Sequence, residues 1–273
     1  MDEIEVEFEH GTKPHTARCY DYFLGGKTNY AIDREAALQA LNANPHAMVA
    51  ARQNRGFMHR ASRYVAKETG IDQFLDIGTG IPTEPNLHQV VQDVNPRARV
   101  VYSDNDPIVL AHARALMNST PEGDTAYIEA DVREPDRILE YARKTLDLSR
   151  PLALSAVALF HFIPKEDDPY GLMRRLTAPL APGSALIFSH AAIDLDDGQM
   201  AALAEQYSRS VTPTRLATRQ ETADFFEGME LMDPGIVPTS EWRMDLDNDA
   251  IPHQPGTVTA AEAGVWAGVG IKH

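Results

Sequence analysis

Between residues 73 and 189 the chain alternates between short, nearly all-apolar runs and longer stretches with apolar residues at helical spacing. The runs are residues 73–77, 99–103, 125–130, 152–160 and 184–189. The stretches 84–94, 108–117, 137–146 and 170–180 lie between them. A strand buried on both faces reads as a continuous apolar run, whereas one with a wet face alternates. Such strands, each followed by an amphipathic helix, predict a parallel α/β sheet covered on both sides. Each crossover is expected to be right-handed.

The flanks are less regular. Residues 1–50 hold no clean strand. A short helix is expected over 33–42, ended by Pro45, and a longer one over 54–69. In the longer one Phe57, Ala61, Tyr64 and Val65 share a face, and Gly70 suits the C-cap. After the sheet pattern come helices at 196–209 and 219–226 and strand-like runs at 230–237 and 265–271. Residues 239–257, polar with Pro252 and Pro255, read as a loop. The expected organisation is an N-terminal helical cap or lid, 1–70, on a core, 71–273.

Composition narrows the partners. With 25 Lys and Arg against 40 Asp and Glu, the formal charge is −15, which argues against nucleic acid. The acidic start is not a signal peptide. The longest apolar run, 151–164, is too short to span a bilayer. A single cysteine, Cys19, allows no intramolecular disulfide and suits a reducing cytoplasm. It reads as a small apolar residue rather than a nucleophile.

In a parallel sheet, ligands bind beyond the carboxyl ends of the strands. The first run ends in Asp76-Ile77-Gly78-Thr79-Gly80-Ile81-Pro82-Thr83. The glycines permit a sharp turn and close approach to a ligand. A dinucleotide loop needs a third glycine where Thr83 stands. Asp76 would repel a pyrophosphate but suit an ammonium group. S-adenosylmethionine, a nucleoside carrying a cationic amino acid, meets that demand. The second run ends in Asp104-Asn105-Asp106-Pro107, where Asp104 suits a ribose diol and Asp106 a helix cap. The third ends in Asp131-Val132, with Asp131 suited to the adenine amine and Val132 to the ring. One such aspartate means little; three at successive strand ends point to one ligand.

These residues resemble class I methyltransferases. The run Ala17-Arg18-Cys19-Tyr20-Asp21-Tyr22-Phe23-Leu24-Gly25-Gly26-Lys27-Thr28-Asn29-Tyr30 is more specific. Together with Asn54-Arg55-Gly56-Phe57 and the strand-end motifs, it is similar to a bacterial S-adenosyl methyltransferase family first catalogued as a domain of unknown function. The resemblance covers nearly the whole chain. It implies a Rossmann-like, seven-stranded, mostly parallel sheet with helices on both faces and an antiparallel last strand. It also implies cofactor contacts at Asp76, Gly78, Asp104 and Asp131, to which Thr79, Gly80, Asn105 and Val132 are neighbours. It names no acceptor.

For the chemistry, His161, just past the fourth strand, is the first candidate for a base or acceptor-orienting group; His190 is second. Tyr22 and its aromatic neighbours are expected to face the sulfonium. Arg55 is expected on the cofactor carboxylate, with a surface role as the alternative, and Arg18 or Lys27 on a carboxylate of cofactor or acceptor. Gly26-Lys27-Thr28 mimics a phosphate loop but lacks its earlier glycine and preceding strand. Asp245–Asp249 mimics a calcium loop, but Ala250 and Gly256 occupy the decisive positions, and no structural metal is expected. The expected activity is methyl transfer to oxygen or nitrogen of a small molecule or peptide. A non-catalytic cofactor binder and, less favoured, a nicotinamide oxidoreductase stay open.

Overall fold

The computed structural model describes residues 13–116, 118–246 and 257–273. Three helices come first: α1 (Thr16–Leu24), α2 (Ala31–Ala43) and α3 (Ala47–Thr69). The alternating region follows as β1 (Gln73–Ile77), α4 (Leu87–Gln92), β2 (Arg99–Asp104), α5 (Pro107–Leu116), β3 (Asp124–Glu129), α6 (Pro135–Ala142), β4 (Ala153–Ala156), α7 (Pro169–Thr177) and β5 (Ala185–Ala191). The chain closes with α8 (Gln199–Ser210), α9 (Arg219–Ala223), β6 (Met229–Leu231), β7 (Val237–Pro238), α10 (Ala260–Ala263) and β8 (Val265–Lys272).

The strands form one sheet in the order β3-β2-β1-β4-β5-β8-β6, with β7 pairing the other end of β8. The first five strands are parallel, and β8 is antiparallel to β5. Strand order reverses between β1 and β4, so a crevice opens at their carboxyl ends.

Side-chain alternation fills both faces. Leu75, Ile77, Leu154, Ala156, Leu186 and Phe188 belong to the core beneath α6 and α7. Phe74, Val100, Tyr102, Ala153, Ala185 and Ile187 belong to the opposite core, with Phe57, Ala61 and Val65 of α3. A third cluster, including Cys19, Phe23, Ala37, Ala40 and Tyr207, joins α1, α2 and α3 to α8.

Four sequence expectations need correction. The strand expected over 152–160 is only Ala153–Ala156; the chain then leaves the sheet through Ala158 at φ 56° and a 3-10 turn at Phe160–Phe162. Those later residues are apolar because Phe160 is fully buried, not because they pair. The strand expected over 230–237 is two short ones, broken at Asp233, Pro234 and Gly235, where proline lacks the amide a ladder needs. Helix α1 was not expected; the His15 ring accepts from the Ala17 amide at its start, and Gly25 at φ 83° ends it. Helix α3 begins seven residues before the expected 54, because its first turns bury small Ala47, Ala50 and Ala51, which leave a weak apolar signature. The expected loop 239–257 falls largely on 247–256, outside the described residues, as does the acidic segment 1–12.

Candidate active site

A cavity of about 380 Å³ lies at the carboxyl ends of β1 to β4 and is walled by α1, α3 and α8. It reaches Arg55, Asp76, Gly78, Thr79, Gly80, Asp104, Asn105, Asp131, Val132 and His161. Ten of the eleven residues expected at the site therefore share one cleft.

The glycine loop is shaped by its neighbours. Gly78 sits at φ 72°, and a Cβ there would stand 2.7 Å from Leu159 Cδ1. Its amide donates to the Ser103 carbonyl at 2.8 Å, locking the loop to the end of β2. Asp104, 7% exposed, accepts from the Gly80 amide and from the Asp106 amide, each at 2.9 Å, one on each carboxylate oxygen. Each oxygen of a carboxylate has two acceptor sites, so one remains on each for a diol.

Asp76 stands at the mouth of β1. Desolvation raises its pKa to about 6; the Ser155 hydroxyl and the Arg55 guanidinium pull the other way, and the Asp104 carboxylate adds to the rise. Burial also raises Asp104. Two desolvated carboxylates in one cleft create a standing demand for a cation.

Arg55 serves the loop as well as the cleft. Its Nη2 donates to the carbonyls of Thr83 and Pro85. The Asp131 carboxylate accepts from Asn105 Nδ2 at 3.0 Å, the Arg133 amide at 2.9 Å and the Arg133 guanidinium at 3.0 Å. Arg133, not foreseen, also lines the cavity and reaches Asp167.

Tyr22 is the expected residue that lies elsewhere. It packs edge-on against Phe23, away from the cavity, and Tyr20 lines the cavity instead. Two residues along a helix is about 200° of rotation, so the two rings cannot face the same way. The Tyr20 hydroxyl donates to the Ala51 carbonyl at 2.9 Å and accepts from Asn54 Nδ2 at 3.0 Å. Ser189 Oγ donates to Asn54 Oδ1 at 2.6 Å and accepts from the Ala158 amide at 3.0 Å. This chain ties α1 to the left-handed residue where β4 ends. The sequence offers Asn54 only as part of a motif at the start of a helix and gives Ser189 no role, because the Asn54 partners are 34 and 135 residues distant.

Arg18 does not reach the cavity wall. Its Nε meets Asp33 at 2.8 Å and its Nη1 meets Asp106 at 3.3 Å, with all three side chains buried. Asp33 also accepts from the His15 and Tyr30 amides. The ion cluster fastens α1 and α2 to the turn after β2. Lys27 is exposed, and the Gly26-Lys27-Thr28 turn folds onto Asp21, which accepts from the Thr28 amide at 2.9 Å. Cys19 is fully buried and its thiol is pushed up to about 12, first by burial and then by Asp33, as suits an inert residue.

His161 is 9% exposed, and its Nδ1 has no hydrogen-bond partner among the described residues. Burial, then His190 and Arg215, hold its pKa well below the ordinary value, so the ring is neutral near pH 7. His190 sits behind it, with ring centroids 5.7 Å apart. Its Nδ1 lies 2.9 Å from the Ala191 carbonyl and its Nε2 3.4 Å from the Arg215 guanidinium. Burial first lowers it to about 3, and it does not line the cavity.

The profile of a family described as S-adenosyl methyltransferase matches residues 5–273. The chain belongs to the S-adenosyl methyltransferase family. The solved structure of a DUF574 family protein from Streptomyces avermitilis is 44% identical, covering 96% of this chain and 99% of that one, with a TM-score of 0.91. A protein from Thermobifida fusca is 38% identical over 95% of each chain, with a TM-score of 0.84. The plantazolicin methyltransferase BpumL, solved with a triazolic desmethylPZN analog and SAH, is 12% identical at a TM-score of 0.52, a likeness of fold alone. No curated protein matches significantly. The protein is an S-adenosylmethionine-dependent methyltransferase with a Rossmann-like fold. Among the described residues no helix is long and apolar enough to cross a membrane.

Proposed function

We propose that this methyltransferase alkylates an oxygen or nitrogen of a small molecule or peptide, with His161 receiving the acceptor's proton. In this reading Asp76 meets the cofactor's ammonium group, Asp104 its ribose hydroxyls, and Asp131 with Asn105 and Val132 its adenine. Arg55 meets its carboxylate. The cofactor, once bound, supplies an electrophilic methyl group on a positively charged sulfur. The protein's part is to orient the two reactants and exclude water. Residues 1–70 act as the lid on the core, 71–273. The single cysteine fits a reducing, cytoplasmic setting, and the charge of −15 argues against a nucleic-acid acceptor.

The observation that carries the catalytic reading is the desolvated imidazole of His161 on the cavity wall, whose Nδ1 has no partner among the described residues. A buried polar atom without a partner costs stability unless something else uses it. Neutral near pH 7, it accepts a hydrogen bond from the acceptor's O–H or N–H. It would then hold the proton that the acceptor's O–H or N–H gives up on methylation. Methyl transfer to a pool of candidate acceptors, read by mass spectrometry, tests this. His161→Gln should lower the rate by roughly 10²–10⁴-fold while the thermal response to S-adenosylhomocysteine stays. Equal rates in variant and parent would remove the base. No transfer by the parent to any acceptor would favour a cofactor binder without catalysis.

Asp76 gives the cofactor site a pH dependence. The empty site titrates near pH 6, and a carboxylate facing a bound ammonium titrates lower. The bound state therefore holds fewer protons, and affinity rises with pH until the empty-site value is passed. Calorimetry should show S-adenosylmethionine binding strongest near pH 7 and weakening by up to about tenfold per pH unit below about 6. Asp76→Asn should flatten that profile at a lower affinity. An equally steep profile in the variant would assign the titration to another group.

A further inference from the structure

We infer that the methyl acceptor is an uncharged aromatic small molecule that presents a hydroxyl or amine at its edge. The inference rests on the proposed function and concerns the half of the cavity opposite the three aspartates.

That half is built from Phe23 of α1, Phe162 after β4, Met200, Leu203 and Tyr207 of α8, and Leu216. The spacing of the α8 residues puts them on one helix face. The charged or titratable acid and base residues on the cavity wall are His15, Arg55, Asp76, Asp104, Asp131, Arg133 and His161. The three aspartates stand at the ends of β1, β2 and β3. His15 contacts Asp106 in the turn after β2, Arg55 holds the glycine loop, and Arg133 is bonded to Asp131. Among these described residues only His161 faces the acceptor half, and it is neutral. Tyr207 is held neutral as well, because burial raises its pKa well above the ordinary value. Arg215, the cation that bears on His161, does not line the cavity and lies 4.0 Å from Glu221, so among the described residues an acceptor charge placed there would lose its water and find no partner on the wall. A peptide would bring amides into the same apolar surroundings, with the same difficulty.

The wall is also aromatic. The Phe162 and Tyr207 rings stack, 18° from parallel with centroids 6.2 Å apart. His161 stands edge-on to Phe162, with centroids 4.1 Å apart. An aromatic acceptor packed against these rings brings its edge group to the histidine. The cavity, about 380 Å³ in all, must also take the cofactor, so only a compact ring system fits beside it.

The test uses the full chain and a neutral probe, β-naphthol, against its sulfonate and carboxylate derivatives and a tyrosine tripeptide. A thermal shift with S-adenosylhomocysteine alone comes first; its absence would overturn the cofactor reading and this inference with it. With that product saturating, calorimetry should show β-naphthol binding at least roughly a hundredfold more tightly than the sulfonate. Leu203→Asp should weaken β-naphthol tenfold or more and leave the S-adenosylhomocysteine shift in place. Equal or tighter binding of the charged derivatives or the tripeptide would overturn the acceptor class while leaving the cofactor site standing. So would binding of none of the probes.

Discussion

Asp104→Ala should abolish the thermal shift that S-adenosylhomocysteine produces in the parent protein. A ligand at one hundred times its dissociation constant stabilises a fold by roughly 2.7 kcal/mol. At about 2–4 °C per kcal/mol, that is a shift of about 5–10 °C. In the proposed assignment the carboxylate accepts from two ribose hydroxyls, and hydrogen bonds to a charged group contribute about 1.5–3 kcal/mol each. Losing both weakens binding by roughly 10²–10⁴-fold, which leaves a shift of about 2 °C or less at the same ligand concentration. The unliganded variant should also melt earlier, because the Gly80 and Asp106 amides lose their acceptor. Asp104→Asn, which keeps one carbonyl oxygen, should recover part of that loss but little of the ligand response. A parent-like shift in Asp104→Ala would place the ribose elsewhere.

Asp33→Ala should cost about 3–5 kcal/mol of stability, the usual result of stranding one partner of a buried ion pair. The parent would then lose about 6–20 °C in melting temperature. Asp33 is fully buried and accepts from Arg18 Nε, the His15 amide and the Tyr30 amide. Removing it leaves the Arg18 guanidinium with Asp106 and the Lys13 carbonyl, and frees the start of α2. Arg18 and Asp106 connect this cluster to Asp104 through the Asp106 amide, so the cap and the ribose carboxylate share a support. Hydrogen exchange should locate the loosening in α1 and α2 before the sheet. A loss below about 1 kcal/mol, as for an exposed pair, would show that the cluster does not hold the cap.

Much of the sheet was legible in the sequence because its signals are local. Mostly apolar runs at 73–77 and 99–103, with Asp76 near the end of the first and Asp104 just after the second, mark strands buried on both faces and their carboxyl ends. The departures came where a local signal served another purpose. Phe160 is apolar to fill the core rather than to extend β4, and Pro85 delays α4 until Asn86 can cap it with Gln89. The glycine loop and its three aspartates were legible because their residue types alone state a chemistry.

By itself, then, the sequence determined the strand-helix alternation, the acidic strand ends and the family resemblance, all of them carried by neighbours in the chain. Tertiary structure alone decided that Tyr20 rather than Tyr22 faces the cleft, that Arg18 closes on Asp33 and Asp106, and that Asn54 and Ser189 join the cap to β4. It also decided that α8 walls the acceptor half. The reason is physical. Backbone propensity and periodicity act over a few residues, whereas a helix's rotation and a buried side chain's partner are fixed by packing against segments far along the chain.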